Sequence, residues 1–170
     1  MSDSAPAPDF DDLIDANRGF AESFSLAGFD GVARAGVAVV TCMDSRIDPL
    51  GMLGLAPGDA KILRNPGGRV TDAALLALVL GVNLLGVERI LVVEHTRCAM
   101  ASDSEHDLRQ RLSEASGRDA SWLSIDVIPD QVTSLRDDVA KVRAHPLIGD
   151  SVAVGAFLYD VDTGLLAPVA

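Results

Sequence analysis

Residues 36–46 read GVAVVTCMDSR, and the architecture of the chain follows from this stretch. Its first seven residues form a continuous run that is rich in β-branched side chains, which is typical of a strand buried on both faces of a parallel sheet. The run ends at Cys42, and Asp44 and Arg46 follow at alternate positions. Because alternate residues of an extended chain lie on one side, we expect these three side chains to share a side of the strand end.

Strands and helices alternate along the rest of the chain. Hydrophobic periodicity predicts helices over 9–26, 73–86, 104–115 and 130–144, and strands over 60–63, 89–93 and 151–159, with an edge strand ending near Val169. Such alternation indicates a mostly parallel sheet that helices cover on both faces. We therefore predict a single α/β domain over residues 9–170, with an N-terminal helical arm, behind a mobile tail of residues 1–8.

Charge and composition exclude several classes of partner. The 170 residues carry a formal net charge of −11 and only 4% aromatic residues, which argues against nucleic-acid binding and against anionic membranes. The apolar run 73–87 is shorter than the roughly 20 residues that cross a bilayer. The acidic N-terminus has no apolar core typical of a secretory signal, so we expect a cytoplasmic location.

Two cysteines and a histidine follow predicted strands. Cys42 ends the first strand, and His95 and Cys98 are predicted to lie just past the strand over 89–93. If these strands are neighbours, the two loops meet at the carboxyl edge of the sheet, where α/β proteins bind ligands. A Cys2His set suits Zn²⁺ and leaves a fourth position open, as in catalytic sites. Plain buried cysteines or a disulfide remain the alternatives.

A carboxylate and a guanidinium are expected beside this site. Arg46 can hold Asp44 in a bidentate pair that keeps the carboxylate ionised. Asp44 can then accept a hydrogen bond from zinc-bound water or hydroxide, or occupy the fourth metal position itself. The first arrangement is an active enzyme and the second a self-inhibited one, while a purely structural ion pair is the third alternative.

Three motifs resemble those of the β-class carbonic anhydrases of short bacterial type. They are CMDSR at 42–46, RNPGG at 64–68 and HTRC at 95–98, and the resemblance extends more loosely from about residue 9 to the end. The chain departs from the family pattern at Arg97, where Asp is common, at Ala99, where Gly is common, and at Pro66, where Ala is common. These departures bear on the catalytic rate, on substrate detail and on anion preference. They do not alter the three residues expected to bind zinc.

The resemblance implies roles for the motif residues. Cys42, His95 and Cys98 would bind Zn²⁺, and Asp44 with Arg46 would gate the site. It also implies a homodimer or a dimer-built tetramer in which the partner subunit helps to line the site.

The predicted function is the zinc-dependent, reversible hydration of CO2 to bicarbonate and a proton. Zinc lowers the pKa of bound water to about 7, and the resulting hydroxide attacks CO2. Gly67 and Gly68 are predicted to allow close backbone approach at the substrate site. The alternatives are a CS2 or COS hydrolase on the same scaffold and a non-catalytic zinc-bearing protein that binds bicarbonate or another anion. A nucleotide- or phosphate-binding loop at 64–69 is a further alternative, although this loop matches no phosphate-binding motif.

Overall fold

The computed structural model describes residues 9–170, so the tail predicted over 1–8 lies outside the described residues. An N-terminal unit extends to Asp30, and residues 31–170 form the α/β body. Helix α1, Asp11–Glu22, is the predicted arm, and none of its residues is buried. That residues 9–170 form one domain stays a prediction.

A five-stranded sheet forms the centre of the body. Its strands are β1 (Val37–Cys42), β2 (Ala60–Asn65), β3 (Arg89–His95), β4 (Ala153–Tyr159) and β5 (Leu166–Val169). They lie in the order β2-β1-β3-β4-β5, and only the β4–β5 pair is antiparallel. The predicted mostly parallel sheet with an edge strand is therefore confirmed.

Helices α2 (Asp72–Leu84) and α5 (Gln131–Arg143) pack against the sheet. The body also contains α3 (Ala99–Ser102) and α4 (Glu105–Ser116), and short 3-10 turns span Gly51–Leu53 and Pro66–Gly68. Thr71 caps α2, because its hydroxyl accepts a hydrogen bond from the Ala74 N–H at 3.2 Å. Among the described residues, no helix is both long and apolar enough to cross a bilayer.

Two hydrophobic clusters hold these layers together. Val40 packs in a cluster with Leu78 of α2 and Leu135 of α5, whereas Val39 belongs to a second cluster that includes Ile47. Because neighbouring residues of β1 enter different clusters, this strand is buried on both faces, as its sequence predicts.

The strand order brings the predicted metal ligands to one edge. The chain leaves β1 to form β2 on one side and later returns to form β3 on the other, so the order reverses beside β1. Thr41 pairs with Val93, which places the carboxyl ends of β1 and β3 side by side. The sequence predicts that the third strand ends at residue 93. In the structure β3 continues to His95, which pairs with Tyr159. His95 is therefore a strand residue rather than a loop residue.

Candidate metal centre

Two sulfurs and one imidazole converge at the carboxyl edge of the sheet. Cys42 ends β1, His95 ends β3 and Cys98 precedes α3, and all three residues are buried. Their ligand atoms all lie within 4.8 Å of one another, although residues 42 and 95 are far apart in sequence. The two predicted loops thus meet.

The orientation of the histidine suits a metal ligand. His95 Nδ1 lies 2.9 Å from the carbonyl oxygen of Thr96, which leaves Nε2 as the other ring nitrogen. That Nε2 is buried without an oxygen or nitrogen partner within the described part of the chain. A buried nitrogen in this state normally has a partner, and a metal ion held with two free thiols would supply one. The donor set therefore fits Zn²⁺.

The two thiols titrate as a pair. Hydrogen bonding with Cys98 lowers the pKa of Cys42, and further hydrogen bonds from His95 and from the Asp44 and Gly67 backbone act in the same direction. The same pairing, together with burial, raises the pKa of Cys98. One thiolate is thus favoured before a metal arrives, and the second forms when a metal displaces its proton.

The predicted bidentate ion pair of Asp44 and Arg46 is present beside the candidate ligands. Arg46 Nε donates to Asp44 Oδ1 at 2.9 Å, and Arg46 Nη2 donates to Asp44 Oδ2 at 2.7 Å. This bidentate pair holds the pKa of Asp44 well below its usual range. Asp44 Oδ2 lies 3.9 Å from His95 Nε2, so an ionised carboxylate borders the candidate metal position.

Arg64 fixes the backbone that carries these groups. Its Nε donates to the Cys42 carbonyl at 2.9 Å, and its Nη2 donates to the Asp44 carbonyl at 2.5 Å. Gln131 of α5 similarly donates to the His95 carbonyl at 2.9 Å. Sequence reasoning gave neither side chain a role. Arg64 stands in a motif that could have drawn attention to it, whereas no sequence signal connects Gln131 with His95.

The paired glycines pack against the same strand ends. Gly67 donates a backbone hydrogen bond toward Cys42, and Gly68 has a φ of +74°. A Cβ on Gly68 would lie 2.6 Å from the Val93 carbonyl oxygen and 2.9 Å from the Cys42 nitrogen. Gly68 is therefore needed for the turn to approach β1 and β3 closely, while substrate binding by either glycine stays a prediction.

The arginine of this turn already has an anionic partner within the chain. Arg69 Nε lies 2.8 Å from Asp138 Oδ2, and the Val70 N–H donates to the same oxygen at 2.9 Å. Because a carboxylate occupies the donors that a phosphate would need, the arrangement disfavours the phosphate-binding alternative for residues 64–69.

A buried carboxyl group lies directly before the histidine ligand. Glu94 has no exposed surface. Among residues 9–170 no group meets its carboxyl oxygens with good hydrogen-bond geometry, although the Ser134 and Gln131 side chains of α5 lie close to them. Burial raises the pKa of Glu94 to about 7. Sequence reasoning gave Glu94 no role, and the available signal was a charged residue at the end of a buried strand.

Comparison with known proteins gives concordant matches. A sequence model of the family described as carbonic anhydrase matches residues 37–125. The β-carbonic anhydrase 1 of Mycobacterium tuberculosis is 32% identical over 133 residues, covering 78% of this chain and 81% of that protein. A carbon disulfide hydrolase of Acidithiobacillus thiooxidans is 32% identical over 151 residues, covering 76% of this chain and 75% of that protein. The crystal structure of a carbonic anhydrase from Streptococcus mutans superposes with a TM-score of 0.85 at 36% identity, over 98% of this chain and 100% of that chain.

Proposed function

This chain belongs to the β-class carbonic anhydrase family, and we propose that it binds Zn²⁺ through Cys42, His95 and Cys98 and interconverts CO2 and bicarbonate. One observation carries the proposal: a buried Cys2His set converges beside a carboxylate that an arginine holds ionised. Three protein ligands leave one position for the reacting water, which is the pattern of catalytic zinc sites.

Asp44, Arg46 and Arg64 would then each have a distinct role in the reaction. Bound Zn²⁺ supplies a nucleophile near neutral pH by lowering the pKa of water. The Asp44 carboxylate, whose Oδ2 lies 3.9 Å from His95 Nε2, would accept a hydrogen bond from water held at this position and so orient it. Arg46 fixes both carboxylate oxygens, and Arg64 fixes the backbone on which Asp44 stands. The proton released on hydration passes to solvent buffer.

The pairing of Asp44 supports a working site rather than a self-inhibited one. Both oxygens of Asp44 accept hydrogen bonds from Arg46, so Arg46 already holds this carboxylate, which lies beside the candidate metal position. A non-catalytic anion-binding protein with Asp44 fixed on the metal would lack this bidentate pair. The geometry therefore favours catalysis over the anion-binding alternative.

Carbon disulfide hydrolysis is the second candidate function. Its support is the similarity to the carbon disulfide hydrolase of Acidithiobacillus thiooxidans, at the same 32% identity as the mycobacterial carbonic anhydrase. CS2 and COS are linear like CO2, so the same ligands and the same carboxylate would serve. Only turnover measurements separate these substrates.

Stopped-flow CO2 hydration by zinc-quantified protein tests the proposal. The assay is run well above the pKa of about 7 expected for water on zinc, with CS2 and COS hydrolysis measured on the same preparation. We expect fast, zinc-dependent CO2 turnover that far exceeds turnover of CS2 and COS. Zinc-loaded protein that hydrolyses CS2 and does not hydrate CO2 would reverse the assignment.

We further propose that the enzyme is a cytoplasmic homodimer or dimer-built tetramer. Helix α2 exposes three leucines four residues apart, namely Leu76, Leu80 and Leu84, at 61%, 45% and 69%. Phe10, Leu13 and Ile14 are each more than half exposed. Apolar surfaces of this kind mark association sites. The two buried free thiols suit a reducing compartment. Light scattering on the purified protein tests the assembly, and a monomer at micromolar concentration would contradict it.

A further inference from the structure

Arg97 lies beside the candidate metal ligand Cys98 in an unusual conformation. Among residues 9–170 it is the only non-glycine residue with a positive φ, at 54°. Few non-glycine residues adopt this left-handed region. Its carbonyl oxygen lies 3.4 Å from Arg46 Nη2, and its side chain forms an ion pair with Asp162 at 2.6 Å. The backbone of Arg97 thus contacts the Asp44–Arg46 pair, whereas its guanidinium binds the carboxylate of Asp162.

The turn that carries Asp162 is attached to the same loop. This turn connects β4 with β5. The Val161 N–H donates to the Thr96 hydroxyl at 3.1 Å, and the Thr96 N–H donates to the Tyr159 carbonyl at 2.9 Å. Because Thr96 is held on both sides, Asp162 stays close to the loop of residues 95–98.

Arg46 therefore lies within electrostatic reach of two carboxylates. The Asp44 carboxylate, which hydrogen bonds to it, raises the pKa of Arg46, and the charge of Asp162 adds to the rise. Asp162 is at present neutralised by Arg97, while Asp44 receives both hydrogen bonds of the Arg46 fork. Two arginines and two carboxylates thus lie side by side, paired as Arg46 with Asp44 and Arg97 with Asp162.

We propose that Arg97 is a positioning residue that neutralises Asp162 and thereby keeps Arg46 on Asp44 and Asp44 off the metal. The inference rests on the proposed function, because it concerns the same site. Without the Arg97 cation, Asp162 competes for Arg46. Asp44 then loses its partner, and its Oδ2, 3.9 Å from His95 Nε2, is close enough to the ligand set to take the remaining metal position. Exposed ion pairs contribute little to stability, so loss of the Arg97–Asp162 pair should leave the fold intact.

The open metal position can be measured without turnover. In cobalt-substituted protein, thiocyanate binding at that position is titrated through the visible absorption bands of the metal. Arg97→Met should weaken apparent thiocyanate binding about twofold. A charge pair of this kind shifts the ratio of closed to open sites by up to about fivefold, and the apparent affinity falls only in proportion to the open fraction. Arg46→Met, which frees Asp44 directly, provides the reference for a released carboxylate and should weaken binding at least as much.

Matched variants distinguish competition of Asp162 for Arg46 from a purely structural role of the Arg97–Asp162 ion pair. Arg97→Lys retains the cation and should bind thiocyanate like the wild type. Asp162→Asn introduced into Arg97→Met removes the competing carboxylate and should restore tight binding. Arg111→Met breaks another exposed ion pair, with Asp103, and should leave the titration unchanged.

Three results would overturn the inference. These are wild-type thiocyanate binding in Arg97→Met, a double variant as weak as Arg97→Met alone, and an Arg46→Met protein that binds like the wild type. The readout is independent of substrate. If the wild type does not hydrate CO2 but the thiocyanate pattern holds, the proposed function fails while the role of Arg97 stands.

Discussion

Replacement of Glu94 by glutamine should make the protein more stable at alkaline pH. Glu94 has no exposed surface, and no group in the described chain meets its oxygens with good hydrogen-bond geometry. Burial raises its pKa from the ordinary 4.5 to about 7. Glutamine has nearly the same shape as the protonated acid, and it has no charge to bury. It can also donate to the buried Ser134 hydroxyl, which has no partner among the described residues.

The sign and size of the effect follow from proton linkage. Because the pKa of Glu94 is higher in the folded state, the folded protein binds this proton more tightly than the unfolded chain does. Protonation of Glu94 therefore stabilises the folded state. This contribution is complete at pH values below 4.5, the pKa in the unfolded chain, and it is lost as pH rises through about 7, the pKa in the folded protein. Between about pH 5 and about pH 8 the wild type should lose about 2–3 kcal/mol relative to Glu94→Gln.

Urea unfolding of the metal-loaded proteins at the two pH values, at one protein concentration, measures this difference. Glu114→Gln, on the exposed surface of α4, controls for the change in formal charge. The expected result is a free-energy difference between Glu94→Gln and wild type that grows with pH. A difference that is the same at both pH values, or that shrinks as pH rises, would show that Glu94 is ionised in the folded protein across this range.

Four other substitutions test the site and its supports. His95→Ala should lose metal and CO2 hydration together, and retention of one metal per chain by elemental analysis would contradict its role as a ligand. Asp44→Asn should keep the metal but lose kcat on the order of a hundredfold in the stopped-flow assay, and wild-type rates would remove Asp44 from the mechanism. Gly68→Ala should cost about 2–3 kcal/mol in urea unfolding, because its Cβ would overlap the Val93 carbonyl, and wild-type stability would refute the close approach. Asp138→Asn should cost about 2 kcal/mol by leaving the half-buried Arg69 without its counterion, and an unchanged urea midpoint would show that this pair is dispensable.

The convergence of Cys42, His95 and Cys98 could be predicted because its signals are local in sequence. Cys42 follows an unbroken apolar run, and His95 and Cys98 follow another, so parallel-strand geometry alone brings the three residues toward one edge. The Asp44–Arg46 pair is also local, being two residues apart. The same reasoning set the end of β3 two residues early, because a glutamate and a histidine do not resemble strand residues until the packing that buries them is known.

The supporting interactions could not be predicted, because their partners are distant in sequence. Gln131 reaches the His95 carbonyl from a helix 36 residues later, and Arg97 meets Asp162, which lies beyond β4. Nothing in the spacing of these residues indicates contact. The same holds for the burial of Glu94 and for its polar neighbours Ser134 and Gln131, which belong to the facing helix α5.

The placement of the three ligands has a consequence for local opening of the protein. Cys42 and His95 end the two central strands of the sheet, so separating them requires breaking its most protected hydrogen bonds. Asp44, Arg46 and Arg97 lie on connecting segments that are partly exposed. Amide hydrogen exchange should therefore be slowest at the strand residues that present the metal ligands and fast in the loops a few ångströms away. Within one small site, the strand ends that carry Cys42 and His95 would then open rarely, whereas the segments that carry Asp44, Arg46 and Arg97 would open often.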